Sequence, residues 1–116
     1  MKIGEPAFLV MTALADRQLY GYALIEEVRQ ISGDLVHLKA GSLYAILDRL
    51  RAEGLVEVAA EEVVNSRLRR YYRLSGAGAQ RLAEESERMQ RQARTATTRL
   101  QARPRPAAPG VAGSLA

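Results

Sequence analysis

Seven side chains of this 116-residue chain have the types and spacing that suit contact with a polyanion. Lys39, Ser42, Tyr44 and Arg49 lie in one stretch of small, aromatic and basic residues, and Arg67, Arg69 and Arg70 lie in a second, arginine-rich one. Their chemistry is charge pairing and hydrogen bonding. Ammonium and guanidinium groups pair with phosphate oxygens, and hydroxyls reach phosphates or base edges. Bond-making chemistry has little to stand on. The chain has no cysteine, which excludes disulfides, zinc-finger ligation and thiol nucleophiles. His37 is the single histidine and has no neighbouring carboxylate in sequence to make a metal pair, so a capping or solvent-facing role is expected of it. There is no phosphate-cradling glycine loop and no spaced carboxylate pair. No enzyme activity, cofactor or metal is expected.

The elements that hold these groups follow from periodicity. Residues 39–54 read as one amphipathic helix: Leu43, Ile46, Leu47 and Leu50 recur at i, i+3, i+4 and i+7 and form a single apolar stripe. Ser42, Tyr44, Ala45, Asp48, Arg49 and Arg51 fall on the other side, a face suited to reading DNA. Lys39 and the Gly41-Ser42 pair stand at the helix start, where unpaired N–H groups and the positive dipole favour an anion. Gly54 suits the left-handed turn that ends a helix. A plain structural helix with a solvated polar face would explain the same pattern. Tyr44 can reach DNA or lie on a neighbouring helix, and Arg49 can pair with Glu53 at i+4 instead.

Upstream, Pro6 fits a first helical turn, and residues 7–15 are apolar almost all round. Burying Phe8, Leu9, Val10, Met11 and Leu14 within one small subunit is hard, so part of this helix, Phe8 and Met11 included, is expected to face a partner chain; the alternative is that the other helices wrap it. Residues 16–21 read as a polar connection. Residues 22–32 form a second amphipathic helix through Leu24, Ile25, Val28 and Ile31, stopped by Ser32-Gly33-Asp34. Two short helices joined by a short link make a helix-turn-helix candidate.

After Gly54 the pattern becomes strand-like at residues 55–59 and again at 69–74, an antiparallel hairpin whose long loop, residues 60–68, should project as a wing. Residues 65–73 hold four arginines and no acid, while residues 56–65 hold three glutamates and no base. Arg67, Arg69 and Arg70 sit at and beside the expected wing tip, although Arg70 and Arg73 can also pair with Glu57 across the strands. Tyr71 and Tyr72 must point to opposite sheet faces, one of them to the core.

Ser75 is a good N-cap for a long helix over residues 76–100, despite the weak start at Gly76 and Gly78. Leu82, Ser86, Met89, Ala93, Ala96 and Leu100 alternate steps of four and three, the spacing of a coiled-coil seam, which points to a dimer interface. From Gln101 the composition collapses to Ala, Pro, Gly, Arg and Ser, so residues 101–116 are expected to be a disordered tail, where Arg103 and Arg105, with Arg99 before them, would add nonspecific attraction to DNA. The expected organisation is a DNA-binding unit over residues 1–75, a dimerisation helix over 76–100 and the tail. The fold class is mainly α with a small β-hairpin: a winged helix-turn-helix plus a long C-terminal helix. A net charge of +4 favours nucleic acid over an acidic partner. No leader or membrane-length apolar run stands at the start, so a soluble, cytoplasmic protein that does not enter membranes is expected.

The ordered set of Gly21-Tyr22, Gly41-Ser42-Leu43-Tyr44, Leu47-Asp48-Arg49-Leu50, Glu53-Gly54-Leu55-Val56 and Arg70-Tyr71-Tyr72-Arg73-Leu74-Ser75 with Gly78 resembles the PadR-like transcriptional regulators, over roughly residues 3–100. The resemblance implies a winged-helix homodimer on double-stranded DNA. In such proteins, mostly repressors, the third helix enters the major groove, the wing touches the backbone and the C-terminal helix builds the dimer. The single C-terminal helix looks like the short-chain branch. Two departures stand out: Ala45 replaces a common proline, and Tyr20 replaces a histidine in His-Gly-Tyr. The chain also has no tryptophan, so the mode in which some relatives hold flat aromatic drugs between tryptophans is not carried over. Two readings follow. One is a repressor on a pseudo-palindromic operator, responsive to a small-molecule effector of unspecified identity; the other is a winged-helix module for protein contact without sequence-specific DNA binding.

Overall fold

A computed structural model describes residues 2–105. The elements run α1 (Glu5–Ala13), β1 (Leu19–Tyr20), α2 (Gly21–Ile31), α3 (Ala40–Ala52), β2 (Val56–Val64), β3 (Arg67–Leu74) and α4 (Gly76–Ala102). This is the winged helix-turn-helix with a long C-terminal helix. The last eleven residues of the expected tail lie outside the described residues, while Gln101 and Ala102 continue α4.

The α3 stripe does what its spacing requires. Leu43, Leu47 and Leu50 are wholly buried, and Ile46 is half-buried against them. Gly54 takes φ 73° and turns the chain out of α3, with the Leu55 N–H donating back to the Leu50 carbonyl at 2.9 Å. In α2, Leu24 and Val28 meet that stripe and α1. Gly33 and Asp34, both left-handed, end α2, and the Ser32 hydroxyl accepts from the Val36 N–H at 2.9 Å to fix the link into α3.

Helix α1 departs from expectation. Ala7, Leu9, Val10, Met11, Ala13 and Leu14 are all buried within the one chain, because the remaining elements wrap the helix. Met11 has no exposed surface left, so it is withdrawn as an interface residue. Phe8 packs partly against the core and keeps some surface.

The hairpin is also built differently. Its strands reach almost to the tip and are joined by the two-residue turn Asn65-Ser66, with φ 50° and 62°. Positive φ at both central positions gives the turn that matches the twist of paired strands, so the expected nine-residue loop does not exist. One bulge interrupts the ladder: Val58 faces Tyr72 and Ala60 faces Tyr71, leaving Ala59 unpaired. The residues read as a polar connection include β1, which adds a third strand in the order β1-β3-β2 by pairing Leu19 with Tyr72 and Tyr20 with Tyr71. Tyr72 is the buried member of the tyrosine pair.

The chain divides into two compact units, Met1–Glu85 and Ser86–Ala116, so the division falls inside α4 and not at its start. Ser75 caps α4: its hydroxyl accepts from the Gly78 N–H at 3.0 Å and donates to the Gly54 carbonyl at 2.6 Å. Gly78 is buried where a Cβ would stand 2.9 Å from the Leu55 carbonyl carbon and from Leu74 Cδ1. That close approach accounts for the glycine at position 78, whereas a Cβ at Gly76 would meet nothing within 4 Å. Leu82 packs partly on the core of the first unit. In the second unit every described residue from Glu87 onward is exposed. No helix among the described residues is long and apolar enough to cross a membrane.

Candidate nucleic-acid interface

The first turn of α3 is open. Lys39 is the N-cap residue, with φ −83° and ψ 157°, and no side chain caps the helix. Lys39, Ala40, Gly41 and Ser42 are all exposed, so the free N–H groups of this turn face solvent beside an ammonium and a hydroxyl. Such a helix end binds an anion through its N–H groups and dipole. Tyr44 stands one turn further on, 46% exposed, with its ring against the start of α2. Gly21 makes room for it: a Cβ there would run into the Tyr44 hydroxyl and lie 3.0 Å from Cζ. Of the two readings of Tyr44, the one that lays it on a neighbouring helix describes where the ring sits, and close to half of the residue remains exposed. Arg49 is exposed near the C-terminal end of α3 with Arg51, where both complement the helix dipole.

On the wing, the antiparallel register sets glutamates opposite arginines. Glu57 faces Arg73, Glu61 faces Arg70 and Glu62 faces Arg69. The corresponding N–O distances are 2.9, 3.1 and 3.9 Å. Glu57 thus takes Arg73, as the sequence allowed, while Arg70 goes to Glu61 and not to Glu57. Arg69 also lies 4.1 Å above the Tyr20 ring, Tyr20 meets Tyr71 edge to face at 5.6 Å, and the Tyr71 hydroxyl donates to Glu62 at 2.6 Å. These contacts hold the two guanidinium groups in their charged form more firmly than usual: Arg69 first through the Tyr71 hydroxyl, Arg70 first through the Tyr72 hydroxyl and then Glu61. Arg67, next to the turn and opposite Val64, is exposed, with no carboxylate within ion-pairing distance among the described residues.

A groove of about 470 Å³ separates the wing from the helix-turn-helix, lined by Tyr20, Gly21, Tyr22 and Tyr44 on one side and by Val64, Asn65, Arg67, Leu68, Arg69 and Arg70 on the other. The fold therefore gathers four of the seven expected contact residues, Tyr44, Arg67, Arg69 and Arg70, around one opening, while Lys39, Ser42 and Arg49 do not line it. It adds Tyr20 and Tyr22, the latter 77% exposed, which the sequence reading did not count as contacts. The signal for Tyr22 was available: it sits on the polar side of the α2 period, where a tyrosine has no core to fill. His37 is exposed, its Nε2 2.8 Å from the Asp34 carbonyl oxygen. No group of three or more metal-ligating side chains occurs among the described residues.

Of the expected interface residues in α4, Met89 is 44% and Leu100 62% exposed, and Ala93 and Ala96 are exposed between them.

Comparison with known proteins gives this geometry a family. A family model described as the transcriptional regulator PadR-like family matches residues 10–84. The chain is similar to transcriptional regulator Rv3488 of Mycobacterium tuberculosis, 36% identical over 80 residues, which make up 69% of this chain and 71% of that one. It is also similar to a 37.1 kDa protein in transposon TN4556 of Streptomyces fradiae, 37% identical over 91 residues; the match takes in 78% of this chain but spans only 25% of that relative's length. Among solved structures, a PadR family transcription regulator from hypervirulent Clostridium difficile superposes with a TM-score of 0.71 at 23% identity, over 84% of this chain and 99% of that one. Bacillus subtilis PadR, solved in complex with operator DNA, superposes with a TM-score of 0.61 at 17% identity, over 90% of this chain and 50% of that one. The chain belongs to the PadR-like family of transcriptional regulators.

Proposed function

We propose that this protein binds double-stranded DNA sequence-specifically as a homodimer and represses transcription from a pseudo-palindromic operator. The observation that carries the reading is the uncapped first turn of α3, with Lys39 and Ser42 exposed on it, beside the groove that Tyr44 and Arg67 line. In this reading the first turn of α3 enters the major groove. Ser42 and Tyr44 meet base edges, Lys39 and the free N–H groups hold a phosphate, and Arg67 holds another from the wing. Arg49 and the paired Arg69 and Arg70 are secondary contacts. The fold that Bacillus subtilis PadR presents to operator DNA supports the assignment.

The homodimer rests on the exposed Met89, Ala93, Ala96 and Leu100, whose four-three-four steps make one seam. In the first unit, Phe8 and Leu82 are half-covered by their own chain and remain candidate interface residues. Met89→Lys with Leu100→Lys should give a monomer by sedimentation and abolish tight DNA binding, and an intact dimer would place the interface elsewhere. A small-molecule effector would act by shifting the spacing of the two recognition helices.

Selection from random-sequence duplexes tests the DNA reading directly. The expected result is convergence on a pseudo-palindrome with half-sites about 10 base pairs apart, bound roughly a thousandfold tighter than its scrambled form. No convergence, with equal salt-labile binding to all duplexes, would overturn it in favour of a protein-contact module. One observation favours that second reading: Val63 and Leu68 pair across the wing tip and are both exposed.

A further inference from the structure

The positive charge of this chain is not where its winged fold is. The first compact unit, Met1–Glu85, carries 11 Lys and Arg against 12 Asp and Glu, and the second, Ser86–Ala116, carries six arginines against Glu87 alone. The balances are −1 and +5, which together make the chain's +4. Within the first unit, three wing arginines are already matched to glutamates. A protein of this family that gathers DNA electrostatically has little net charge to do it with outside the second unit.

The charges of the second unit are arranged. At 3.6 residues per turn, Arg91, Arg94, Thr95, Thr98 and Arg99 fall within an arc of about 140° on α4, and Met89, Ala93, Ala96 and Leu100 fall within about 60°, the two centres roughly 160° apart. The five polar residues line one shallow depression along the helix. All are exposed, and no carboxylate pairs with Arg91, Arg94 or Arg99 among the described residues. Compensation of the helix dipole accounts for Arg99, the one basic residue of the last turn, but not for Arg91 and Arg94 further back. Arg103 and Arg105 continue the same sign past the helix end.

We infer that this arginine-threonine face of α4 is a second contact surface for double-stranded DNA, binding phosphates without reading sequence and supplying much of the salt-dependent affinity. The inference rests on the DNA-binding reading above and adds the source of its electrostatic part. Guanidinium and hydroxyl donors with no acceptor carboxylate match phosphate oxygens. A protein partner would want an apolar or aromatic anchor at the centre of the patch, and this face has none. An anionic bilayer would bury the face opposite the arginines, and that face holds only Met89, Ala93, Ala96 and Leu100, with no aromatic anchor and two alanines, and is the seam that the dimer reading assigns to a second chain. The face opposite the seam also stays free when the seam is occupied.

The test uses the full chain carrying Arg91→Gln, Arg94→Gln and Arg99→Gln, with the selected duplex and a mixed-sequence duplex as probes across a salt series. Loss of three phosphate contacts lowers the log–log salt slope by about 2.7 per chain on both duplexes. Between roughly 50 and 200 mM salt this makes the loss of affinity about 40-fold smaller for each chain bound, while the preference for the selected duplex stays unchanged. Arg91→Lys with Arg94→Lys and Arg99→Lys should keep the slope. An unchanged slope in the glutamine variant, with preference intact, overturns this inference and leaves the DNA reading standing. A slope lost equally in the lysine variant also overturns it, because the effect is then structural. Absence of any preference in the wild-type protein removes both.

Discussion

Removing two acids from the wing should strengthen DNA binding if the wing arginines meet phosphates. Glu61→Gln with Glu62→Gln takes away the carboxylates 3.1 Å from Arg70 and 3.9 Å from Arg69. Both substitutions keep the size and shape of the side chain, and the amide oxygen at position 62 can still accept from the Tyr71 hydroxyl. All four partners are part-exposed, where an ion pair adds little to folding, so the hairpin should stay folded. A phosphate competing for these guanidinium groups no longer has to displace a carboxylate. Each released arginine that neutralises a phosphate adds about 0.9 to the log–log salt slope, about 1.8 for the pair. Over a fourfold change in salt that is about a 12-fold steeper loss of affinity, and binding at low salt tightens correspondingly. Fluorescence anisotropy with a mixed-sequence duplex measures it. Glu57→Gln, which releases Arg73 at the base of the hairpin, is the internal control and should leave the slope alone. A double variant with wild-type slope and affinity would refute the reasoning: Arg69 and Arg70 would then belong to the sheet, and Arg67 alone would carry the wing contact.

Gly78→Ala should destabilise the fold by about 1–2 kcal/mol in urea unfolding, because overpacking against the Leu55 backbone exceeds the gain of about 1 kcal/mol in helix propensity; a stabilised variant would mean that α4 can shift away from Leu55. Gly21→Ala pushes against the Tyr44 hydroxyl, the free end of a side chain that can swing, so folding should hold while the preferred sequence in selection changes. An unaltered preference would place Tyr44 away from the bases. Glu26 is held below the usual carboxylate range by its hydrogen bond from Arg29. A depressed folded value contributes stability above the unfolded value and loses it as pH falls through the folded one, so Glu26→Gln should flatten the acid limb of the stability–pH profile; an identical limb would show that this pair does not contribute.

How much of this could be read from the sequence depends on how far each element's signal is local. The α3 stripe is local: four apolar residues at helical spacing, closed by Gly54, need no other part of the chain to be recognised, and three of them became the centre of the core. The four-three spacing along α4 is legible for the same reason, and its residues Met89, Ala93, Ala96 and Leu100 stand exposed. Helix α1 is legible as a helix, but its burial stays open between two alternatives because its environment is nonlocal; an all-apolar helix looks unburiable until the turn after α2 brings α3 across it. Strand β1 has two residues and no period at all, and only its pairing with Tyr71 and Tyr72 makes it a strand. The wing turn hid because Asn65-Ser66 lacks the glycine that usually marks positive φ at both positions. The exposed Tyr22 and the anion-ready start of α3 were both present as pattern, but only the fold sets Tyr22 and Tyr44 at one groove with Arg67.

The charge of the wing shows why a residue count along the chain is not an electrostatic map. Four arginines in one stretch and three glutamates in the one before it look like a basic segment next to an acidic one. Antiparallel pairing folds one onto the other. The two-residue turn alone fixes a register that puts Glu61 opposite Arg70 and Glu62 opposite Arg69. Continued without interruption, the same register would set Glu57 opposite Leu74 and Val58 opposite Arg73, charge against apolar at both steps. The extra residue at Ala59 shifts the ladder by one, so Glu57 meets Arg73 while Val58 meets Tyr72 and Val56 meets Leu74 on the core side. The bulge therefore lets one strand satisfy two demands that a regular ladder cannot meet together, charge pairs outside and apolar pairs inside. Turn and bulge together pair three of the wing's four arginines with the wing's own glutamates. Arg67, beyond the last glutamate, keeps no carboxylate partner among the described residues, and with Arg91, Arg94 and Arg99 of α4 it is part of the positive charge that no ion pair neutralises there.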